Sequence, residues 1–163
     1  MRSKMDSKFF LEHELDIGYN LCYAPDCGCC FRTECLAEKG EVMLLKDIKV
    51  NLPGKGILRI KAGFRFDGAS IPRLFWSTTY HPFHHRVIIA ALVHDALYAS
   101  EIFERSEADN IFKLILEKWG VPWWDRNKMW LAVRTFGGSV WKSHTEDSIK
   151  TARTFIAFVD EVA

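Results

Sequence analysis

Val87 to Val93 is an unbroken apolar run, VIIAALV, and the next two residues are His94 and Asp95. A helix built on this run has little polar face to offer to solvent, so the rest of the chain must wrap it on most sides. His94 and Asp95 enter the interior with it. Both side chains are costly to bury without partners, which makes this helix the first place to look for a site.

The chain can supply that wrapping. Its 163 residues suit a single domain over 1–163, able to bury roughly 70% of its unfolded surface without a staple. With 12 Phe, 6 Trp and 4 Tyr, disorder over the whole chain is excluded. The 22 basic and 21 acidic residues leave a net charge of +1. Charge balance therefore gives no case for nucleic-acid or membrane-surface binding. No apolar run reaches the ~18 residues of a membrane span. Glu12, Glu14 and Asp16 interrupt any apolar core after the basic start Met1-Arg2-Ser3-Lys4, so no signal peptide is expected and a cytoplasm is the expected compartment.

Residues 1–40 are polar and irregular; residues 41–163 carry the regular patterns. Glu41–Leu52 and Ile57–Phe66 alternate like two strands, and Pro53-Gly54-Lys55-Gly56 between them is a turn, which predicts a β-hairpin. Four helices follow. The first runs over His85–Ser100. The second runs over Glu107–Trp119, capped by Ser106, with Ile111, Leu114, Ile115 and Lys118 as its stripe and Gly120 as its stop. The third covers Trp124–Phe136 and stops at Gly137-Gly138. The fourth covers Glu146–Val162 behind Thr145. The expected class is α+β: a small antiparallel hairpin or sheet followed by a bundle of about four helices.

All five cysteines lie between Cys22 and Cys35, in CYAPDCGCCFRTEC. Thiolates suit zinc, which takes about four tetrahedral ligands. Cys27 and Cys30 form a C-x-x-C pair with Cys22 and Cys35 as outer ligands, and Cys29 is left over. Reduced, unligated thiols and a disulfide are the alternatives.

Three polar clusters carry the chemistry. Asp67-Gly68-Ala69-Ser70-Ile71-Pro72 follows a strand, where Asp67 and Ser70 can project into a cleft or simply form a turn. In ALVHDALY, His94 and Tyr98 share a helix face and Asp95 lies about 100° around. In Arg105-Ser106-Glu107-Ala108-Asp109, Asp109 falls in the expected first turn, where a carboxylate suits the helix dipole. Three readings compete. His94, Asp95 and Asp109 (with Asp67) could hold a divalent zinc, manganese or iron that activates water. Ser70 could be a nucleophile activated by His94. Asp95, Arg105 and Asp109 could form a buried network that only pins helices. His81, His84 and His85 read as a solvated helix start. The tryptophans, Trp123-Trp124 among them, read as core rather than a base-stacking platform.

FRFDGASIPRLFW, ALVHDALY, RSEADNIF and the MWLAVRTFGG segment resemble an uncharacterised family carried by tailed bacteriophages and prophages, domain of unknown function 1353. The resemblance covers residues 60–140. It implies a phage or prophage origin, hence host cytoplasm or virion, with a phage structural or host protein as partner, and it carries no settled activity. ALVHDALY is also similar to the His-Asp signature of the HD-superfamily metal-dependent phosphohydrolases. The function expected is a phage-encoded metal-dependent hydrolase. His94, Asp95 and Asp109 would bind the ion, Asp67 would be general base or a fourth ligand, Ser70 would line the cleft with them, and Arg105 would neutralise an anionic substrate or transition state. A non-catalytic virion component or host-interaction protein is the competing class.

Overall fold

Alternating burial in the first half and a fully enclosed helix in the second define the architecture. The computed structural model describes residues 33–36, 41–52, 54–67 and 86–159. Among these, five strands lead: β1 (Thr33–Leu36), β2 (Glu41–Leu44), β3 (Ile48–Leu52), β4 (Gly56–Ile60) and β5 (Arg65–Phe66). Four helices follow: α1 (Ile88–Ser100), α2 (Arg105–Lys118), α3 (Trp123–Ser143) and α4 (Glu146–Phe155), and β6 (Ile156–Val159) is the last of the described elements. The class is α+β, with antiparallel sheets preceding a four-helix layer. Cys22, Cys27, Cys30, Ser70, His81, His84 and His85 lie outside the described residues. Cys35 sits in β1, in register with Val42.

The expected hairpin forms, but it breaks in the middle and feeds two sheets, ordered β1-β2-β5 and β3-β4-β6. In β3 the alternation is clean, with Ile48, Val50 and Leu52 buried. The break lies at Leu45-Lys46-Asp47 opposite Lys61-Ala62-Gly63. Asp47 holds it. Its carboxylate accepts the Ala62 N–H at 2.9 Å and the Arg59 guanidinium at 2.6 Å. Gly63 turns at φ +89, a conformation open to glycine, and its N–H donates to the Leu44 carbonyl at 2.7 Å. A local side-chain acceptor thus replaces ladder bonds and re-aims the strand pair.

Helix α1 is buried nearly all round, as its apolar run requires: 11 of its 13 residues are buried. Helices α2 and α4 and strand β5 pack on it. Helix α2 begins earlier than expected, at Arg105, and its N-cap is Glu104, with no side-chain cap from Ser106. Asp109 therefore lies in the second turn, fully buried, and not at the helix dipole. The buried face is also rotated: Ala108, Phe112 and Leu116 are inside and Leu114 is exposed. Gly120 ends the helix at φ +73 as expected. Thr145 caps α4 through a reciprocal box with Ser148.

Two expected boundaries are corrected. Helix α3 runs straight through Gly137-Gly138 to Ser143. These glycines provide clearance. A Cβ on Gly137 would stand 2.6 Å from the Tyr98 hydroxyl oxygen. Helix α4 stops at Phe155 instead of reaching Val162, because Ile156–Val159 pairs with β4. The segment is apolar and rich in β-formers, and it covers an edge that would otherwise be bare.

Two outcomes follow from this geometry. Asp47 has its pKa lowered by the Ala62 N–H and then by Arg59, so its stabilising effect is present above the unfolded value of 3.8 and lost as pH falls through the folded one. Asp47→Ala should cost about 1 kcal/mol at pH 7, the site being solvent-screened. Urea unfolding at pH 7 and at pH 3 should show the gap shrink at the lower pH. Gly137→Ala should cost about 1–3 kcal/mol by overpacking Tyr98. Gly138→Ala meets only the end of the Arg105 side chain, at 3.2 Å. It should stay within about 0.5 kcal/mol, since alanine's helix preference offsets the displacement. Urea unfolding of the two variants compares them directly.

Candidate active site

One carboxylate organises the interior polar groups. Asp109, on α2, faces α1 and α3. Its Oδ1 accepts the Tyr98 hydroxyl at 2.6 Å and pairs with His94 Nε2 at 2.8 Å. Its Oδ2 accepts Arg134, from α3, at 2.8 Å. His94 and Tyr98 are one turn apart on α1, with ring centroids 4.1 Å apart. The Tyr98 ring also meets Trp141 edge-on at 5.1 Å. The 3.6-residue period places both donors over one acceptor.

The second ring nitrogen of His94 tells a different story. Nδ1 is buried and has no hydrogen-bond partner among the described residues. The nearest carboxylate oxygen, on Asp95, is 3.7 Å away, beyond hydrogen-bond length. Asp95 is itself tied to the β5 exit, where its Oδ2 accepts the Asp67 N–H at 3.1 Å. His94 and Asp95, with Asp67, lie along a cleft of about 210 Å³ between the β5 end and helices α1 and α3. Phe64, Phe66, Ala99 and Val140 give it apolar walls. Arg65, Tyr98 and His144 complete its polar lining, and Gly137 opens space beside Tyr98.

Charges are tuned by this packing. Burial works to lower the His94 pKa, but the Asp109 hydrogen bond and the Asp95 carboxylate outweigh it, and the net shift is upward. Burial likewise pushes Asp109 up, and the donors His94, Tyr98 and Arg134 more than reverse it, so the carboxylate is held ionised. Burial, then the Asp109 contact, raises Tyr98, which stays a neutral donor. The Asp109 carboxylate thus favours the protonated form of His94, in which each ring nitrogen carries an N–H.

The six cleft residues expected from the sequence separate. Asp67, His94 and Asp95 line the cleft. Asp109 stands behind His94, fully buried, with both oxygens engaged. Arg105 turns away; its guanidinium donates to the Arg134 carbonyl at 3.1 Å. Ser70 lies outside the described residues. His94, Asp95 and Asp109 thus do not surround one point, and among the described residues no three His, Cys, Asp or Glu side chains form a metal-ready group. Tyr98, Arg134 and His144 had no assigned role from sequence. Tyr98 had a visible signal, its four-residue offset from His94. Arg134 is 25 positions from Asp109, and no local pattern links them.

An α+β protein with a carboxylate-backed histidine in a cleft at a strand exit is the class these features define. Residues 42–133 match the family described as a protein of unknown function, DUF1353, a span of more than half the chain, and the chain belongs to that family. The uncharacterised protein y4jT of Sinorhizobium fredii is 33% identical over 78 residues, 48% of this chain and 23% of that protein. The chain thus spans about a quarter of the length of the curated relative it matches. No solved structure matches. The likeness to HD phosphohydrolases gains no support from these comparisons.

The network sets a stability expectation. Asp109→Ala strands His94 Nε2, the Tyr98 hydroxyl and Arg134 at once, and should cost about 3–5 kcal/mol. Arg134→Gln should cost less, about 1–2 kcal/mol, because the Arg134 side chain is 32% exposed. Chemical denaturation of both variants tests the ordering.

Proposed function

We propose that the cleft is the active site of a hydrolase in which His94 is the general acid. The carrying observation is the division of labour on its ring. Nε2 is committed to Asp109, and Nδ1, on a residue that lines the cleft, has no hydrogen-bond partner among the described residues. When protonated, a ring fixed in this way offers its Nδ1–H to bound substrate, and a leaving atom within reach takes that proton as its bond breaks. Asp95, pinned by the Asp67 N–H, adds negative charge beside the ring and favours its charged form.

A second reading is favoured by one distance. His94 Nδ1 and Asp95 Oδ1 are 3.7 Å apart, close to the spacing of two ligands on one ion bound at about 2.1 Å each. Asp109 would then be the outer carboxylate that orients a metal-bound histidine. This nitrogen–oxygen set suits zinc, manganese or iron, whose bound water would be the nucleophile. The cysteine cluster Cys22, Cys27, Cys30 and Cys35 remains a separate proposal for structural zinc. The resemblance of the Asp67, His94–Asp95 and Arg105–Asp109 clusters to a phage and prophage family supports a phage origin. It supports action in the host cytoplasm or virion beside a phage structural or host partner.

Turnover of phenyl and p-nitrophenyl esters of acetic and phosphoric acid decides among these. As general acid, His94 should matter most for the poorer leaving group. His94→Gln should lower phenyl-ester turnover about 10²–10⁴-fold, lower p-nitrophenyl-ester turnover less, and leave the fold intact by circular dichroism. Elemental analysis beside it separates the metal reading: about one zinc or manganese lost with His94 supports it. Metal that survives His94→Gln and disappears in Cys27→Ser belongs to the cysteine cluster. No turnover of any ester, with only a lowered melting temperature in His94→Gln, would favour the non-catalytic virion or host-interaction class.

A further inference from the structure

The cleft holds a second carboxylate-backed histidine. His144 caps the C-terminal end of α3 and lines the same cleft. Its Nδ1 contacts Glu101 Oε1 at 2.8 Å, so an N–H at Nδ1 donates to the carboxylate and Nε2 keeps its lone pair. Glu101 is held in place at some cost. It ends α1 in the left-handed region, at φ 46, and no other described non-glycine residue has a positive φ. That conformation is unfavourable for a residue with a Cβ. Three bonds fix it there. Its N–H reaches the Leu97 carbonyl at 3.0 Å, and Arg153 from α4 donates to the Ser100 and Glu101 carbonyls at 2.8 Å and 3.3 Å. Glycine is the usual occupant of such a helix end. Glutamate there gives up backbone comfort and gains a carboxylate aimed at His144.

We infer that His144 is the general base of this cleft and Glu101 its positioning residue, the two histidines dividing proton transfer in the hydrolysis of an ester. The inference rests on the proposed role of His94. His144 Nε2 takes one proton from water as the water oxygen bonds to the acyl or phosphoryl centre. The bond to the leaving oxygen breaks with its electron pair, and His94 Nδ1–H protonates that oxygen. Solvent then returns a proton from His144 to His94, and both rings are restored. Tyr98 and Trp141 link the two histidines by tilted and edge-on ring contacts, with successive centroids 4.1, 5.1 and 6.0 Å apart from His94 to His144. They fix the two ends of the cleft relative to one another.

Base and acid respond differently to the leaving group, and this separates the two claims. His144→Gln should lower turnover of phenyl and p-nitrophenyl esters by the same factor, about 10²-fold or more, because water activation does not depend on the departing phenol. Glu101→Gly removes the strained conformation, so its melting temperature should hold or rise while turnover falls about tenfold. The ring ¹⁵N spectrum of the unmutated protein should show His144 as the Nδ1–H tautomer, and Glu101→Gly should shift it toward Nε2–H. Full turnover in His144→Gln, with His94→Gln still impaired, overturns this inference and leaves the His94 reading standing. Full activity in Glu101→Gly, or an Nε2–H tautomer in the unmutated protein, also overturns it. Full turnover in both histidine variants removes both claims.

Discussion

A buried carboxylate at a three-helix crossing needs nearly all of its acceptor capacity filled, or its desolvation dominates. Asp109 meets this with Tyr98 and His94 from α1 and Arg134 from α3. Each donor comes from an element whose buried face is otherwise mostly apolar, and apolar contact tolerates sliding. Hydrogen bonds of 2.6–2.8 Å do not. The apolar burial of α1 supplies the cohesion, and Asp109 fixes how α1, α2 and α3 are rotated about their axes. The cleft inherits that rotation, because His94, which lines it, is held from behind by the same carboxylate.

The same packing explains the use of glycine in the middle of α3. Tyr98 leans over His94 as it reaches Asp109, and its hydroxyl end then occupies the volume where a side chain at 137 would begin. A small residue there lets α3 approach α1 closely enough for Arg134, one turn earlier, to reach the carboxylate from the other side. Gly138 gives similar clearance to Arg105, which bonds the Arg134 carbonyl and braces the helix that carries the third donor.

Much of this was legible in the sequence, and the failures share one cause. The enclosed helix, the strand period, the stop at Gly120 and the cap at Thr145 each rest on a local pattern, and each appears in the fold. Gly137-Gly138 misleads because a glycine needed for clearance and one that ends a helix look alike until the opposing residue is known. The tail after Phe155 keeps a helical pattern, and only the open edge of β4 makes it a strand. Asp109 was sought near the helix start because Ser106 resembles a cap. Its burial depends on partners 11 to 25 positions away. The Glu101–His144 pair spans 43 positions, and no periodicity reports a contact of that range. Asp67, His94 and Asp95 were found at the cleft because each lies in a short motif at the end or in the middle of an element the pattern locates.

The two histidines of the cleft are supported in opposite ways, and this bears on how the cleft can work. The Asp109 carboxylate behind His94 is fully enclosed and shared with two other donors, so its position is coupled to the stability of three helices. The Glu101 carboxylate behind His144 is a quarter exposed and stands on a strained helix end braced by one arginine of α4. One end of the cleft is therefore tied to the packing of three helices, and the other to the brace of Arg153 on the end of α1. The histidine at the first end is thus placed by the same contacts that set the helix packing, and the histidine at the second by a local helix-end brace.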